Sequence, residues 1–385
     1  MRSFSEIFRD LPLEALVQQS FDTTEKTLFP ILEKGSANGL ADVAALLSPS
    51  AGERLESLCA HSQRITRKHF GKTISLFAPL YLSNECVNIC KYCGFSRNND
   101  IPRVTIPVSR AVEETRLLAG QGFRSLLLVA GEHPKYVSNG YVAETIRNLL
   151  PIMPSVSLEL GPVKTEEYFP LVEAGCEGLV VYQETYHEKT YRELHPAGPK
   201  KNFFWRMETP ERAYEAEFRR IGIGALFGLY DWRYEALALA AHAQYLSRTC
   251  WKAKITISLP RIRPAAGEFQ PAYSMSDREL VQTLCALRMF LPHAGIVLST
   301  REPAALRNGL LPLGITSMSA GSSTEPGGYS NFDKTSWKAK EEQKGEQFHI
   351  SDERSPAEVA AVISQRGYEP VWKDFDRSLV SHSSL

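Results

Sequence analysis

Apolar residues in the first seventy positions recur with a helical period. Phe4, Ile7, Phe8 and Leu11 stand at i, i+3, i+4 and i+7, the stripe of an amphipathic helix. The same spacing runs through Leu40–Leu47 and Leu55–Phe70, and Ser48-Pro49-Ser50 interrupts it between them. Residues 1–72 therefore read as a helical extension with no catalytic signal of its own. From residue 73 the pattern changes, and short apolar runs alternate with amphipathic segments. The predicted strands are Ser75–Leu82, Ser125–Ala130, Val156–Leu160, Gly178–Tyr182, Ala225–Leu229, Lys254–Leu259, Gly295–Ser299 and Ile315–Ser319. The predicted helices between them are Val108–Gln121, Asn139–Leu150, Thr165–Ala174, Arg233–Arg248, Asp277–Phe290 and a short one at Pro303–Arg307. Ser125-Leu-Leu-Leu-Val-Ala130 is apolar without alternation, as expected for a parallel strand covered on both faces. The connection 185–220 is longer, with a helix and an aromatic-rich loop at Phe203-Phe204-Trp205.

Eight strands alternating with helices predict an α/β fold, a (βα)8 TIM-type barrel over residues 73–320. An open doubly wound sheet is the competing arrangement. Residues 321–385 form a C-terminal extension. It holds a Gly/Ser-rich loop at Gly321–Tyr329 and a charged stretch, Lys338–Glu346, whose composition suits a mobile surface segment. A helix near Pro356–Arg366 and the segment Tyr368–Trp372 follow.

Composition then sets limits. A chain of 385 residues, 43% hydrophobic, can bury a large core. Lys+Arg and Asp+Glu balance at 44 each, so neither nucleic acid nor an anionic membrane is the expected partner. No apolar run nears the ~20 residues of a membrane helix. The opening Met1–Phe8 lacks the apolar core of a signal peptide, and the cytoplasm is the expected compartment. Four of the seven cysteines, Cys59, Cys176, Cys250 and Cys285, are scattered and read as buried small hydrophobes.

The other three carry chemistry. Cys86, Cys90 and Cys93 lie in a C-x3-C-x2-C spacing directly after the first strand. Thiolates suit iron–sulfur clusters or zinc. Three of them leave one iron of a four-iron cubane open to a small molecule, and three could also form part of a zinc site. With Tyr92 before the last cysteine, the motif resembles the signature of the radical S-adenosylmethionine (SAM) superfamily. In a barrel, functional residues gather at the C-terminal ends of strands. Polar residues recur there: Gly131-Glu132, Glu159, Gln183-Glu184, Arg261 and Arg263, Thr300-Arg301-Glu302 and Ser317–Ser319.

The whole pattern is similar to the radical SAM tyrosine lyases of thiamine biosynthesis, the 2-iminoacetate synthases. The resemblance rests on Leu80–Asn84 leading into the cysteines, Leu126–His133, Val181–His187, Phe203–Pro210, Ser258–Pro264, Leu298–Glu302, Pro326–Tyr329 and Pro370–Asp374. It implies a [4Fe–4S] cluster on Cys86, Cys90 and Cys93, bound SAM, and cleavage of L-tyrosine at Cα–Cβ to 2-iminoacetate and p-cresol. It implies thiazole synthase as the recipient of the iminoacetate and a flavodoxin or ferredoxin as reductant. Tyr92 is then expected near the cluster or adenine, Gly131 and Glu132 at the SAM amino group, and Glu159, Gln183 and Glu184 at its ribose or methionyl end. The substrate carboxylate calls for an arginine, whose planar fork binds it in a bidentate way. Arg301 is the first candidate, Arg261 the second, with Ser319 as an additional donor. His133 and His187 are candidate proton carriers. The tyrosine lyase that matures [FeFe]-hydrogenase has a C-terminal extension with further cysteines, whereas this chain has none after Cys285. A tryptophan lyase of the same superfamily and, from a different class, a zinc-binding structural or regulatory barrel stay open as alternatives.

Overall fold

The computed structural model describes residues 2–267, 269–332 and 345–373. Six helices come first: α1 (Phe4–Arg9), α2 (Leu13–Phe21), α3 (Glu25–Lys34), α4 (Leu40–Leu46), α5 (Pro49–Glu53) and α6 (Leu55–Phe70). Their ends are encoded locally. Ser3 and Glu6 form a capping box at the start of α1, and Gly35 ends α3 in the left-handed conformation. Phe4 of the predicted stripe is buried and stacks on His242, with ring centroids 4.1 Å apart.

The barrel follows. Its strands are β1 (Thr73–Ser83), β2 (Ser125–Ala130), β3 (Ser155–Glu159), β4 (Gly178–Glu184), β5 (Arg220–Ala225), β6 (Lys254–Ser258), β7 (Gly295–Leu298) and β8 (Ser317–Ser319). The helices between are α7 (Val108–Gly120), α8 (Asn139–Leu149), α9 (Thr165–Glu173), α10 (Glu188–Leu194), α11 (Phe203–Met207), α12 (Thr209–Glu215), α13 (Trp232–Thr249), α14 (Asp277–Phe290) and α15 (Ala304–Leu310). Every neighbouring pair is parallel, and β8 returns to β1 at Ser75–Ser317, Leu76–Met318 and Phe77–Ser319. That last pairing closes the sheet and removes the open-sheet alternative. The extension is joined to the barrel through α6. The Ser62 hydroxyl donates to the Leu313 carbonyl, and Cys59 Sγ lies 3.9 Å from Cys285 Sγ of α14.

Three elements depart from the expected ones. β5 covers Arg220–Ala225, five residues before the predicted Ala225–Leu229. Gly222 and Gly224 dilute its apolar signal, yet the site needs them bare. A Cβ on Gly224 would stand 2.7 Å from the Tyr182 ring. The richer run beyond it crosses the barrel mouth, with Leu226 N donating to Glu184 O at 2.7 Å. The aromatic segment 203–205 is not a loop but the start of α11, capped by the Asn202 side chain. After α16 (Pro356–Gln365) a ninth strand, β9 (Glu369–Val371), pairs with the first three residues of β1 on the edge that β2 takes further along. It is three residues long and contains a proline, so it leaves almost no trace in the pattern. Of the charged stretch Lys338–Glu346, residues 338–344 lie outside the described residues. Among the described residues no helix is long and apolar enough to cross a membrane.

Candidate active site

β1 runs straight into the cysteine loop, and the loop's own polar residues hold it. Arg103 donates to the carbonyls of Asn84, Phe95, Ser96 and Asn99 at 2.6–3.0 Å. Asn99 Nδ2 donates to the carbonyls of Cys93 and Gly94 at 3.0 and 2.9 Å. A guanidinium has five donors in a fixed fork, which suits it to such bracing. Gly131, at the end of β2, packs against this loop: a Cβ there would meet Glu85 O at 2.2 Å.

Cys86, Cys90 and Cys93 share a cavity of about 560 Å³ with Gly131, Glu132 and Glu159. Cys90 is buried, and burial pushes its thiol up, while Cys93 is pushed up to about 11 by the same cause. Buried thiols of this kind ionise when a cation binds them. Among the described residues no three Cys, His, Asp or Glu side chains converge closely enough for a single metal ion. The wall of the cavity that the three thiols share adds no histidine or fourth cysteine. This donor set fits a cluster with one open iron and does not fit a tetrahedral zinc site.

A deeper cavity of about 830 Å³ sinks into the barrel, and a third of about 430 Å³ lies at the mouth. Glu159 and Gln347 line all three, so the spaces adjoin. Glu159 holds its proton up to about pH 7, because it is buried and faces Glu184, with Arg301, Arg206 and Lys200 opposing the shift. Glu184 sits at φ 72°, where the register of β4 against β5 slips. Burial alone would raise its carboxyl, but Lys200 at 2.6 Å and Arg206 at 3.5 Å pull it below its ordinary value. The turn after it is clasped from α13. The buried Glu235 carboxyl group accepts from Tyr186 N at 2.8 Å and from the Thr185 hydroxyl. Burial pushes Glu235 up to about 8, against those two hydrogen bonds. Tyr92 donates to His195 Nε2 at 2.8 Å, and His195 Nδ1 donates to Tyr191 O at 2.7 Å. Burial holds that imidazole neutral, at about 3, consistent with this tautomer.

The arginines separate clearly. Arg301 lines both the deep cavity and the mouth, its guanidinium 3.3 Å from the centre of the Phe348 ring. Its neighbour Glu302 pairs instead with Arg261 and Arg263. Arg261 also bonds Asp277 at 2.8 Å and Met275 O at 3.0 Å, so the second candidate for the substrate carboxylate is a structural brace. Gln183 is a further correction. Tyr182 and Glu184 of β4 face the cavities, but Gln183 is buried on the opposite side and donates to Phe203 O at 3.2 Å. Ser319 lines the deep cavity, with its Oγ accepting from Thr300 N at 3.1 Å. His133 packs on Tyr136, and His187 caps α10 and stacks on Tyr230, and neither lines the three cavities above.

Sequence reasoning missed Lys200, Arg206, Gln347 and Phe348. The first two sit in the long connection, where the basic pair Lys200-Lys201 beside three aromatics was the available signal. Gln347 and Phe348 belong to a strap, residues 345–352, laid across the mouth. Gly94 N donates to Gln347 O at 3.0 Å, Tyr81 OH to Gln347 Oε1 at 2.8 Å, and Ser351 N to Thr300 O at 2.9 Å.

Comparison with known proteins agrees with this geometry. Residues 80–241 match the family described as the radical SAM superfamily, and residues 258–369 match the biotin and thiamin synthesis associated domain. The chain is 41% identical over 382 residues to the 2-iminoacetate synthase of Escherichia coli (strain K12), with 98% of each chain covered. It is 42% identical over 336 residues to the 2-iminoacetate synthase of Salmonella typhimurium (strain LT2), with 87% of each covered. Among solved structures it resembles HydG, a maturase of the [FeFe]-hydrogenase, with a TM-score of 0.87 and 31% identity over 94% of this chain and 79% of that one.

Proposed function

Because this chain belongs to the family of the 2-iminoacetate synthases within the radical SAM superfamily, we propose that it cleaves the Cα–Cβ bond of L-tyrosine to 2-iminoacetate and p-cresol, supplying the thiazole of thiamine. Cys86, Cys90 and Cys93 would hold a [4Fe–4S] cluster, which would supply the electron that splits SAM into methionine and a 5′-deoxyadenosyl radical. Gly131 lets backbone approach closely beside the thiols, and Glu132 stands ready for the SAM amino group. Tyr92, fixed by His195, offers a ring for the adenine, and Glu159 and Glu184 offer carboxylates for the ribose or methionyl end. Loss of a hydrogen atom from the tyrosine amino group, followed by Cα–Cβ fission, gives 2-iminoacetate and a 4-hydroxybenzyl radical. One electron and one proton convert that radical to p-cresol. Placement selects this hydrogen over every other that such a radical can take.

One observation carries the substrate assignment. Arg301 faces the cavity wall beside the thiol cavity, and among the described residues it has no carboxylate partner, because Glu302 is taken by Arg261 and Arg263. A buried amino acid carboxylate needs such a cation. Arg301→Ala removes it and Arg301→Lys loses the fork. Either change should lower kcat/KM for p-cresol by roughly 30- to 1000-fold, from about 2–4 kcal/mol of lost charged contact. Formation of 5′-deoxyadenosine without substrate should persist. If both activities fall together with cluster content, Arg301 serves the barrel and not the substrate.

Iminoacetate hydrolyses in water, so we place its consumer, thiazole synthase, in direct contact with this enzyme. A flavodoxin or ferredoxin would supply the electrons, in the cytoplasm. If no association and no thiazole are seen with the cognate synthase, the thiamine role fails, even with the lyase activity intact.

A further inference from the structure

Two of the scattered cysteines meet. Cys59 of α6 and Cys285 of α14 stand where the extension packs on the barrel. Their sulfurs are 3.9 Å apart, with the Cys285 thiol donating to Cys59. One helical turn after Cys59, the Ser62 hydroxyl fixes the same contact through the Leu313 carbonyl.

The two thiols are not alike. Cys285 is fully buried, whereas Cys59 is only half-buried, so the expectation of four buried cysteines fails at Cys59. The hydrogen bond from Cys285 favours the Cys59 thiolate and lowers it below its ordinary value, against burial. That same bond, together with burial, raises Cys285. A reactive cysteine needs thiolate character and access, and its sulfenic acid condenses to a disulfide where a second thiol is at hand. Cys59 meets the first two conditions, and Cys285 is the second thiol. Cys176 and Cys250 lack this arrangement. Both are buried; Cys176 gives its thiol to Val156 O and Gly178 O, and Cys250 sits against the Thr249 hydroxyl.

We infer that Cys59 and Cys285 form a reversible dithiol oxidation site whose substrate is a hydroperoxide. With hydrogen peroxide, the Cys59 thiolate attacks one oxygen and the O–O bond breaks. Hydroxide leaves and is protonated to water, and Cys59 becomes a sulfenic acid. The Cys285 sulfur then attacks the Cys59 sulfur, and the S–O bond breaks. The Cys285 proton leaves with that hydroxide as a second water, and an S–S bond remains. The two thiols together lose two electrons, and the peroxide gains them. The sulfurs have to close from 3.9 Å to about 2.05 Å, a step that side-chain rotation on two packed helices can supply. Neither residue lines the three cavities of the candidate site, so the oxidation takes none of the groups assigned to cluster, SAM or substrate. This chemistry is independent of the lyase reaction.

The test treats the holoenzyme anaerobically with a graded excess of hydrogen peroxide, blocks the remaining thiols with iodoacetamide and weighs the tryptic peptides. Cleavage after Arg54, Arg64, Arg278 and Arg288 leaves each cysteine alone in its own peptide, 55–64 and 279–288. The two peptides should appear joined, lighter by two hydrogens than the free pair, and dithiothreitol should separate them. Cys285→Ser should stop at the sulfenic acid, trapped on Cys59 by dimedone. Cys59→Ser should leave Cys285 a free thiol at the same dose. The assignment is overturned if the wild-type peptides stay apart, with Cys59 either alkylated or carried on to sulfinic acid. A link from Cys59 to Cys86, Cys90 or Cys93 overturns it as well, and so does oxidation of Cys285 in Cys59→Ser. The joined peptide is read in the wild-type chain, so a variant that does not fold leaves that decision intact.

Discussion

Arg261 and Arg301 both stand just past the end of a barrel strand, and only their neighbours tell them apart. Sequence places each at the mouth; it does not say that Glu302 turns away from the residue beside it and takes Arg261 and Arg263. Gln183 shows the same limit from parity. Adjacent residues of a strand face opposite sides, so Gln183 and Glu184 could not both reach the cavity. The three cysteines were legible because their spacing is local. Lys200 and Arg206 were not, because a tertiary contact brings them to Glu184. Glu235 yields a prediction of its own. Burial keeps it protonated in the native state up to about pH 8, against an ordinary carboxyl value of 4.5. Between those limits the native state holds a proton that the unfolded chain has released. Stability should therefore fall as pH rises, by up to about 1.4 kcal/mol per pH unit. Glu235→Gln has no such proton to lose. Its melting temperature relative to wild type should climb between roughly pH 5 and pH 8. A constant difference across that range would show that the carboxyl ionises normally.

Among the elements, those with a continuous apolar run were the easiest to foresee. β2 and α14 fall where the pattern puts them. β5 does not, since two glycines, one against Tyr182 and the other against Val180 and Thr256, look like a break, and the stronger run beyond them belongs to the mouth. β9 is held by β1 rather than by its own residues. The cysteine loop is the element with the sharpest test. Cys86→Ala, Cys90→Ala and Cys93→Ala should each abolish the cluster, read as iron content and absorption near about 400 nm in anaerobic protein. Cys176→Ala and Cys285→Ala should keep it. Cys176 gives its thiol to Val156 O and Gly178 O, and Cys285 faces Cys59 in the α6–α14 contact. A full four-iron cluster in any of the first three variants would contradict the assignment.

For the molecule as a whole, closure of the barrel was legible from eight alternations, but the roof over it was not. The strap at 345–352 is anchored by Asp352, whose carboxylate pairs with Arg307 of α15 where both side chains are fully buried, and with Arg354 at 2.6 Å. Removing one partner of a buried pair leaves the other charge without compensation. Asp352→Ala should destabilise the protein by about 3–5 kcal/mol, measured as a shift in the denaturant midpoint. A shift below about 1 kcal/mol would put the pair among the weak surface contacts. The strap also has a history in time. Tyr81 and Gln347, which touch across the mouth, are 266 residues apart in the chain. Synthesis runs from the N-terminus, so Cys86, Cys90 and Cys93 leave the ribosome long before the residues that cover them. The strap that roofs the three thiols is therefore made long after the thiols themselves.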